Sequence, residues 1–428
     1  MIKILEYGEV GEEEIFGRTD DGQDVSDVVR GIIADVRVNG DAAVRKYTEM
    51  FDGASPETFE ASRDELEAAE AAVEPEFLET MRRAAANIEA FHRRQVRSGF
   101  VSGDANGVVT GQRVLPIARV ALYIPGGTAG YPSSALMNCI PAKIAGVREI
   151  IVATPPGAGG VVKNPYIVAA ARMAGADRIF KIGGAQAVAA LAYGTRTIPA
   201  VDKIVGPGNA YVAEAKRQVY GKVGIDMIAG PSEILIIADG GSAAEVASDM
   251  LSQAEHDERA GAALITVSRE LARRVRDELE KRIPSLPRAD TARASIDRNG
   301  KIIIVKSIEQ AIAVSNRLAP EHLELYVDDP FDYLNLIENA GSVFLGRNCP
   351  EAVGDYYAGP NHTLPTSGAA RFYSPLSVDD FVKKSSFTYY SRRALSRAAD
   401  DITRFAEKEG LTAHARSVTA RFENGGGT

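Results

Sequence analysis

The sequence runs IARVALYI at 117–124, SALMNCIPAKIAGV at 134–147 and EIIVATPP at 149–156, and this succession decides the fold class. The first and third runs are short, β-rich and bounded by turn residues, whereas the second is Ala-rich and long enough for a helix. Strands that alternate with helices in this way are typical of a parallel sheet covered by helices. The chain is therefore predicted to be an α/β protein.

The same alternation continues well beyond this stretch. It runs on to DKIVG (202–206), and it resumes from EILIIAD (233–239) to KIIIVK (301–306). One sheet of so many strands would be unusual, so a second sheet is predicted. The last fifty residues, from Pro375, and the first hundred are predicted to be mainly helical. In the first hundred, apolar side chains recur at helical spacing at Val28, Val29, Ile32, Ile33 and Val36.

Length and composition are those of a globular protein with more than one domain. The chain has 428 residues, of which 45% are hydrophobic and 25% charged. A net charge of −9 argues against general nucleic-acid binding, which usually needs a basic surface. We find neither a run of about 18 apolar residues nor a signal-peptide pattern, and two cysteines are too few for a disulfide framework. A cytoplasmic protein that does not enter a membrane is expected.

Three glycine-rich turns each follow a predicted strand and precede a predicted helix. They are YIPGGTAG (123–130), KIGGAQA (181–187) and VGPGNA (205–210). Such turns place backbone N–H groups where a phosphate can bind, at the carboxyl ends of parallel strands. None matches the dinucleotide fingerprint G-x-G-x-x-G, and tight strand-to-helix turns would explain the glycines equally well. Polar side chains at Tyr123, Gln186 and Asn209 favour ligand binding.

Four of the five histidines lie after residue 250, each in a dense polar stretch. Gln253 and His256 are three residues apart near the end of a predicted helix, so they share a face. Together with one carboxylate and a second histidine, such a pair would form an N/O site that suits zinc. The alternative is that both are surface residues that make ordinary hydrogen bonds, which is the commoner role of a Q-x-x-H pair.

Glu321 and His322 precede the predicted strand LELYV (323–327). Adjacent residues on an extended chain point to opposite faces, but on a loop or bulge both could reach one site. The alternative is a carboxylate that caps a helix, next to a core histidine. The remaining histidine, His92, lies in the charged stretch FHRRQVR (91–97) and is predicted to be a surface residue.

The two cysteines offer an alternative to a metal-based chemistry, because a thiolate nucleophile could carry the oxidation of an aldehyde through a thiohemiacetal. Cys139 lies in an apolar helical stretch and is predicted to be buried and inert. Cys349, in GRNCPEAVGD (346–355), lies near Asp355 and is the better candidate. No base is evidently paired with either thiol, so structural roles are preferred for both.

Seven strings of the sequence resemble the histidinol dehydrogenase family. In chain order they are YPSSALMNCIPAKIAGV, KIGGAQAVAALAYGT, VDKIVGPGNAYVAEAKRQVYGKVGIDMIAGPSE, LSQAEHDERA, APEHLEL, AVGDYYAGPNHTLPT and EGLTAHARSV. The resemblance covers nearly the whole chain in the family's order, and its motifs are long and specific. Two departures are small: Ser367 stands where glycine is common, and GRNCPEA is an unusual approach to Asp355. Neither is expected to touch a site residue.

The resemblance implies a role for each motif residue. Catalysis would fall to Glu321 and His322. Contacts with NAD would come from Tyr123, Gln186 and Asn209. The zinc ligands would be Gln253, His256, Asp355 and His414. The substrate would be contacted by Ser232, His322, Asp355 and Glu409 and by the zinc ligands Gln253, His256 and His414, with His362 in a supporting role.

The resemblance also implies two incomplete Rossmann-like parallel-sheet domains with small helical extensions at both termini, which would explain the missing fingerprint. The expected divisions are an N-terminal extension at 1–21, a larger domain of 22–123 with 232–376, an inserted domain at 124–231 and a dimerisation segment at 377–428. Two intertwined chains would share their active sites, because Glu409 and His414 would complete the site of the other chain.

The implied activity is the oxidation of L-histidinol through L-histidinal to L-histidine, the last steps of histidine biosynthesis, with NAD and one zinc ion per subunit. His322 would be the base in both oxidations, and Glu321 would activate water in the second. A related enzyme for another small alcohol, such as a sulfonated diol, would need a cationic pocket, and Glu409 argues against one. A non-catalytic protein of the same fold would not need the complete set of acid, base and four ligands.

Overall fold

The computed structural model describes residues 1–18, 24–126 and 130–423, so part of the first glycine-rich turn, 127–129, lies outside the described residues. The chain divides into two compact units. The first is formed by Met1–Val96 with Ile117–Phe381, and the second by Arg97–Pro116 with Val382–Thr428. Both parallel sheets lie in the first unit.

The strands and α-helices of the described residues follow one another in chain order. They are β1 (Lys3–Glu6), α1 (Glu12–Phe16), α2 (Ser26–Asn39), α3 (Asp41–Asp52), α4 (Arg63–Ala71), α5 (Pro75–His92), β2 (Phe100–Gly103), β3 (Val108–Pro116), β4 (Arg119–Tyr123), α6 (Pro132–Ala145), β5 (Glu149–Thr154), α7 (Pro165–Met173), β6 (Arg178–Lys181), α8 (Gly184–Tyr193), β7 (Lys203–Val205), α9 (Ala210–Val219), β8 (Gly224–Ile225), β9 (Glu233–Ala238), α10 (Ala243–Ala254), β10 (Gly261–Thr266), α11 (Arg269–Arg282), α12 (Ala289–Asn299), β11 (Lys301–Ile304), α13 (Ile308–Leu318), β12 (His322–Tyr326), β13 (Ser342–Leu345), α14 (Glu351–Tyr356), β14 (Val382–Tyr390), α15 (Arg392–Lys408) and α16 (Thr412–Glu423).

The first parallel sheet has five strands in the order β6-β5-β4-β7-β8. Its central strands are buried on both faces, and alternate residues enter different cores. Ala121 and Ile151, which are paired in register, face a core that includes α2, α8 and α9. Val120 and Leu122 face the opposite core, with α5, α6 and α7. The strand–helix alternation that decides the fold class is therefore confirmed as a parallel sheet with helices on both faces.

The second parallel sheet has six strands in the order β1-β11-β10-β9-β12-β13. One face packs on α10, α11 and α12, and the other on α1 and α13. Strand order reverses between β9 and β12, which pair in parallel with His322 opposite Ile234. The predicted second sheet is confirmed, and the chain has the predicted α/β fold with two parallel sheets.

The predicted N-terminal helices are present and pack on the first sheet. The apolar residues predicted to form a stripe on α2 are buried, except for Val28, which is 54% exposed. The terminal extension also contains β1, an edge strand of the second sheet that was not anticipated, because four residues are too few to show a period. The expected division after residue 123 separates β4 from the other strands of its sheet; the domain limits remain predictions.

The second unit contains an antiparallel sheet of order β14-β3-β2, followed by α15 and α16. The C-terminal helices are as predicted, but β14 was not expected. Its residues KKSSFTYY are mostly exposed, so the strand lacks the apolar alternation by which a half-buried strand is recognised. Phe387 lies opposite Gly111 of β3, where a Cβ would collide with the ring.

The prediction that His92 is a surface residue is wrong. It ends α5 with no exposed surface, and its Nδ1 donates to the carbonyl oxygen of Ile88 (2.9 Å). Burial lowers the pKa of the ring, which keeps it neutral in the core. The prediction failed because charged residues follow His92 in the sequence and are typical of a surface segment. Among the described residues, none of the helices combines the length and apolar character needed to cross a bilayer.

Candidate active site

Two neighbouring strands of the second sheet bring Glu321 and His322 together. β12 begins at His322, and its partner β9 begins at Glu233. The main chain of Glu233 holds both side chains: its N–H donates to Oε2 of Glu321 (2.9 Å), and its carbonyl oxygen accepts from Nδ1 of His322 (3.1 Å). Glu321 Oε2 and His322 Nδ1 are 3.7 Å apart. Both predicted catalytic residues therefore reach one site, and Glu321 binds a strand N–H rather than capping a helix.

The hydrogen bond at Nδ1 fixes the tautomer of His322. A carbonyl oxygen only accepts, so Nδ1 carries the proton in the neutral ring and Nε2 presents a lone pair. Nε2 is buried and has no hydrogen-bond partner among the described residues; Oε1 of Glu351 lies 3.5 Å away. Burial lowers the pKa of His322 to about 4, against an opposing effect of the Asp355 carboxylate. The ring is therefore neutral near pH 7 and oriented as a base.

Asp355 lies where three other polar side chains converge. Ligating atoms of His322, Glu351 and Asp355 lie within 4.8 Å of one another. His362 Nδ1 donates to the main-chain carbonyl of Asp355 (3.1 Å), so its Nε2 accepts from the hydroxyl of Ser134 (3.1 Å). The helix α14 places Glu351 and Asp355 four residues apart on one face. Carboxylate and imidazole donors grouped in this way can bind a divalent cation.

The end of α10 adds Gln253 and His256. Gln253 lies in the last turn, and His256 follows the helix, where its N–H donates to the carbonyl oxygen of Gln253 (3.1 Å). Both polar atoms of the Gln253 side chain are buried and have no partner within the described part of the chain. An unsatisfied buried amide costs about 1–3 kcal/mol, which favours a ligand there. Burial is the main cause that lowers the pKa of His362, and the neighbouring His256 lowers it further.

A chain of buried carboxyl groups lies behind His322. The hydroxyl of Ser252 donates to Oε2 of Glu351 (3.2 Å), whose N–H donates to Oε1 of Glu324 (2.7 Å). Burial raises the pKa of Glu351 well above its usual value, and nearby Asp355 raises it further. Burial raises the pKa of Glu321 as well, against the bond from the Glu233 N–H. These groups therefore retain protons to a higher pH than they would in water.

The predicted cofactor residues lie at turns that follow strands of the first sheet. Tyr123 ends β4, and its hydroxyl oxygen accepts from the N–H of Gly184 (3.1 Å); burial raises its pKa to about 12, so the phenol stays protonated. Gln186, in the first turn of α8, is buried with both polar atoms lacking a partner among the described residues. Asn209 caps α9, where its side-chain oxygen accepts from the N–H groups of Tyr211 and Val212 (both 3.1 Å).

A buried ion pair that we did not predict supports the turn after β7. Lys216 and Asp226 form a salt bridge whose side chains are 3% and 1% exposed. Lys216 Nζ donates to the carbonyl oxygen of Gly206 (2.9 Å), and Oδ2 of Asp226 accepts from the Gly206 N–H (2.8 Å). Gly206 has φ +116°, which side chains rarely adopt. The pair therefore holds the two peptide groups that flank Gly206, three residues before Asn209.

The remaining predicted site residues are distributed over both units. Ser232 lines a cavity of about 350 Å³ that is also lined by Arg18, Glu233 and Ser367. Ser367 lines the same cavity as the predicted substrate residue Ser232, and the expectation that it touches no site residue stays a prediction. Glu409 and His414 lie in the second unit, at the end of α15 and in α16.

Comparison with known proteins decides the family. The profile of the family described as histidinol dehydrogenase matches residues 17–422. The chain belongs to the histidinol dehydrogenase family. It is 54% identical over 396 residues to the histidinol dehydrogenase of Bacillus cereus, covering 92% of each chain, and 50% identical to that of Clostridium acetobutylicum, covering 99% of each. The crystal structure of histidinol dehydrogenase from Elizabethkingia anophelis matches with a TM-score of 0.93 at 38% identity, over 99% of this chain and 98% of that one.

Within this family member, sequence reasoning missed Glu351, Glu233 and Ser134. Glu351 could have been found, because E-x-x-x-D places two carboxylates on one helix face. Glu233 acts through its main chain, and Ser134 contacts a residue 228 positions away, so neither left a local signal. Cys139 is buried, as predicted, and burial raises the pKa of its thiol, which keeps it inert.

Proposed function

We propose that this protein is a zinc-dependent, NAD-linked histidinol dehydrogenase of the cytoplasm that oxidises L-histidinol to L-histidine through L-histidinal. The observation that carries the proposal is the neutral, buried His322 with an unpartnered Nε2, held beside Glu321 by the main chain of Glu233. Membership of the family supports the choice of substrate. This activity would place the protein in the last steps of histidine biosynthesis.

The metal proposal concerns Gln253, His256, Asp355 and His414, which would hold one zinc ion per subunit. It is supported by the unpartnered amide of Gln253 and by the grouping of Asp355 with other donors. One carboxylate, two imidazoles and an amide oxygen are an N/O donor set that zinc accepts. When bound, zinc supplies a Lewis acid that lowers the pKa of a hydroxyl group and polarises a carbonyl group.

The cofactor proposal concerns Tyr123, Gln186 and Asn209, which would contact NAD. Tyr123 and the turn that contains Asn209 follow β4 and β7, between which the strand order of the first sheet reverses. Open α/β sheets bind ligands at such a point. The protonated phenol of Tyr123 and the unpartnered amide of Gln186 offer hydrogen-bond donors there. When bound, NAD supplies the hydride acceptor.

The chain's own residues would move the protons. Nε2 of His322 would take the proton of the substrate hydroxyl, while Nδ1–H stays on the Glu233 carbonyl and fixes the ring plane. In the second oxidation Glu321 would take a proton from water that attacks the aldehyde carbon. Its raised pKa makes its carboxylate a better proton acceptor than an exposed one. His322 would return its first proton to the former carbonyl oxygen as water adds, and would then accept the proton of the resulting hydrate as the second hydride leaves.

Substrate selection would fall to Ser232, Glu409 and the ligand residues. A carboxylate at Glu409 suits the N–H of an imidazole and disfavours an anionic alcohol. Because Glu409 and His414 lie in the second unit, we propose that they complete the site of the other chain in a homodimer.

The proposal is tested with Glu321→Gln and His322→Asn. Four-electron oxidation of histidinol must give two NADH, whereas histidinal gives one. Loss of a general base costs about 10²–10⁴-fold in the step that it serves. Glu321→Gln should therefore slow NADH formation from histidinal by that factor and spare the first transfer from histidinol, whereas His322→Asn should slow both. The measurement is the absorbance of NADH in single-turnover reactions, started once from histidinol and once from histidinal. Wild-type protein that forms one NADH per histidinol would contradict the proposal.

A further inference from the structure

Arg18 binds the side chain of Glu233, the residue whose main chain holds the two proposed catalytic residues. Its Nε and Nη2 donate to the two carboxylate oxygens of Glu233 (3.2 and 3.1 Å). Nη2 also donates to the carbonyl oxygen of Leu318 (2.6 Å), the last residue of α13. Leu318 precedes Glu321 by three residues. One guanidinium group thus ties the start of β9 to the segment that leads into β12.

Glu233 links Arg18 to the candidate catalytic residues, because both its side chain and its main chain form hydrogen bonds. Its carboxylate is bound by Arg18, and main-chain N–H groups of Ser367 and Gly368 also bind it. Its own N–H and carbonyl group bind Glu321 and His322. Burial raises the pKa of the Glu233 carboxyl, and Arg18 opposes that effect. Without the guanidinium, the mostly buried carboxylate would lose the cation that is hydrogen-bonded to it, which is costly.

The least costly response to that loss is for the Glu233 side chain to move towards the neighbouring cavity, which Glu233 itself lines. Such a movement shifts the Cα of Glu233 and rotates the two flanking peptide groups, one of which binds Glu321 and the other His322. The proton of His322 is then no longer confined to Nδ1, and the ring loses its fixed plane. A displacement of about 1 Å at a reacting group can cost about 10²-fold in rate.

We propose that Arg18 is a positioning residue that, through Glu233, fixes the tautomer and orientation of His322 and the place of Glu321. Its kinetic consequences rest on the function proposed above, whereas its effect on the His322 ring does not. Arg18 itself is not assigned a contact with substrate. Its loss should therefore lower kcat much more than it raises KM.

The first test observes the ring directly, so that it does not depend on turnover. Protein labelled with ¹⁵N-histidine reports the protonated nitrogen of each ring by NMR, and His322→Asn identifies the His322 signals. The wild type should show a single Nδ1–H tautomer, and Arg18→Ala should show a mixture. Arg18→Lys, which keeps one cation on Glu233, should lie between them. Unchanged His322 signals in Arg18→Ala would overturn the inference.

The second test is kinetic and uses a matched control. Arg317 binds Glu12 (3.0 Å) and lies over the ring of Phe16, so it anchors the same N-terminal segment without touching Glu233. Arg18→Ala should lower kcat by about 10–10²-fold, with KM nearly unchanged, and millimolar guanidinium should restore part of it through the adjoining cavity. Arg317→Ala should keep kcat and gain nothing from guanidinium.

Two kinetic results would refute the inference. One is an equal loss of kcat in Arg317→Ala, which would mean that anchoring of the segment is what matters. The other concerns the double variant of Arg18→Ala with Glu233→Gln. If Arg18 acts through Glu233, this variant should be no slower than Glu233→Gln alone, so a further loss of kcat in the double variant would refute the inference. A wild type that does not oxidise histidinol would contradict the proposed function only, and the NMR result would still decide the role of Arg18.

Discussion

The ion pair between Lys216 and Asp226 makes a prediction about stability that does not depend on the proposed activity. Its side chains are 3% and 1% exposed, and each also binds the main chain of Gly206, Lys216 at the carbonyl oxygen and Asp226 at the N–H. Lys216→Met keeps the apolar stem but leaves the Asp226 carboxylate buried without its cation. Breaking one side of a buried pair costs about 3–5 kcal/mol. We expect the free energy of unfolding to fall by that amount.

Urea denaturation followed by circular dichroism measures the change, with an unchanged slope showing that the denatured state is the same. Arg63→Met is the control, because its bridge to Glu67 is exposed on both sides and should contribute about 0–1 kcal/mol. Lys216→Met combined with Asp226→Leu should lose less stability than either single change, since no lone charge remains. Equal losses in Lys216→Met and Arg63→Met would refute this reasoning.

Three further predictions concern the site and the fold. Refolded mixtures of inactive His256→Ala and inactive His414→Ala should regain part of the activity, since a heterodimer would hold one complete site; inactive heterodimers would contradict shared sites. Burial raises the pKa of Glu324, so the folded chain holds a proton that the unfolded chain releases above about pH 4.5, and stability falls as pH rises towards the raised pKa. Glu324→Gln should flatten that decline, measured by urea midpoints between about pH 5 and 8. Ser367 has φ +56°, so Ser367→Gly should raise the free energy of unfolding by about 0.5–1 kcal/mol; a loss of stability would refute the strain.

The sequence predicted those parts of the fold that are buried on both faces. Strands such as β4 and β5 are continuous apolar runs next to Ala-rich helices, and such runs have few alternatives. The strands β1 and β14 were missed for opposite reasons. One is only four residues long, and the other is exposed on both faces and looks polar. In neither case does the local sequence pattern indicate a strand.

The sequence offered the residues of the candidate site, whose roles stay predictions, but not the contacts that support them. Glu321 and His322 stand together in the sequence, yet only the structure shows that the main chain of one residue, Glu233, binds both. The partner of the Glu233 carboxylate, Arg18, lies 215 residues away in the sequence, and the role of Glu233 is carried partly by its main chain. No residue type marks a main-chain contact, so resemblance and spacing could not have found it.

The proposed sites lie at opposite ends of the two sheets, and only the one in the first sheet follows the rule that open α/β sheets bind ligands at the carboxyl ends of their strands. Tyr123 and the Gly206 turn lie at carboxyl ends in the first sheet. Glu233 and His322 begin their strands, so the candidate catalytic site lies at the amino end of the second.

The carboxyl end of the second sheet is filled by the protein itself. Arg347 binds Asp239 (2.7 Å) and lies over the ring of Tyr326, and a Cβ at Gly241 would collide with its guanidinium. At the amino end, Ser134 of the first-sheet helix α6 reaches His362, which binds Asp355. The carboxyl end of one sheet therefore meets the amino end of the other. The residues proposed to hold NAD and those proposed for catalysis thus lie at adjoining sheet ends, an arrangement that strand order within either sheet alone does not predict.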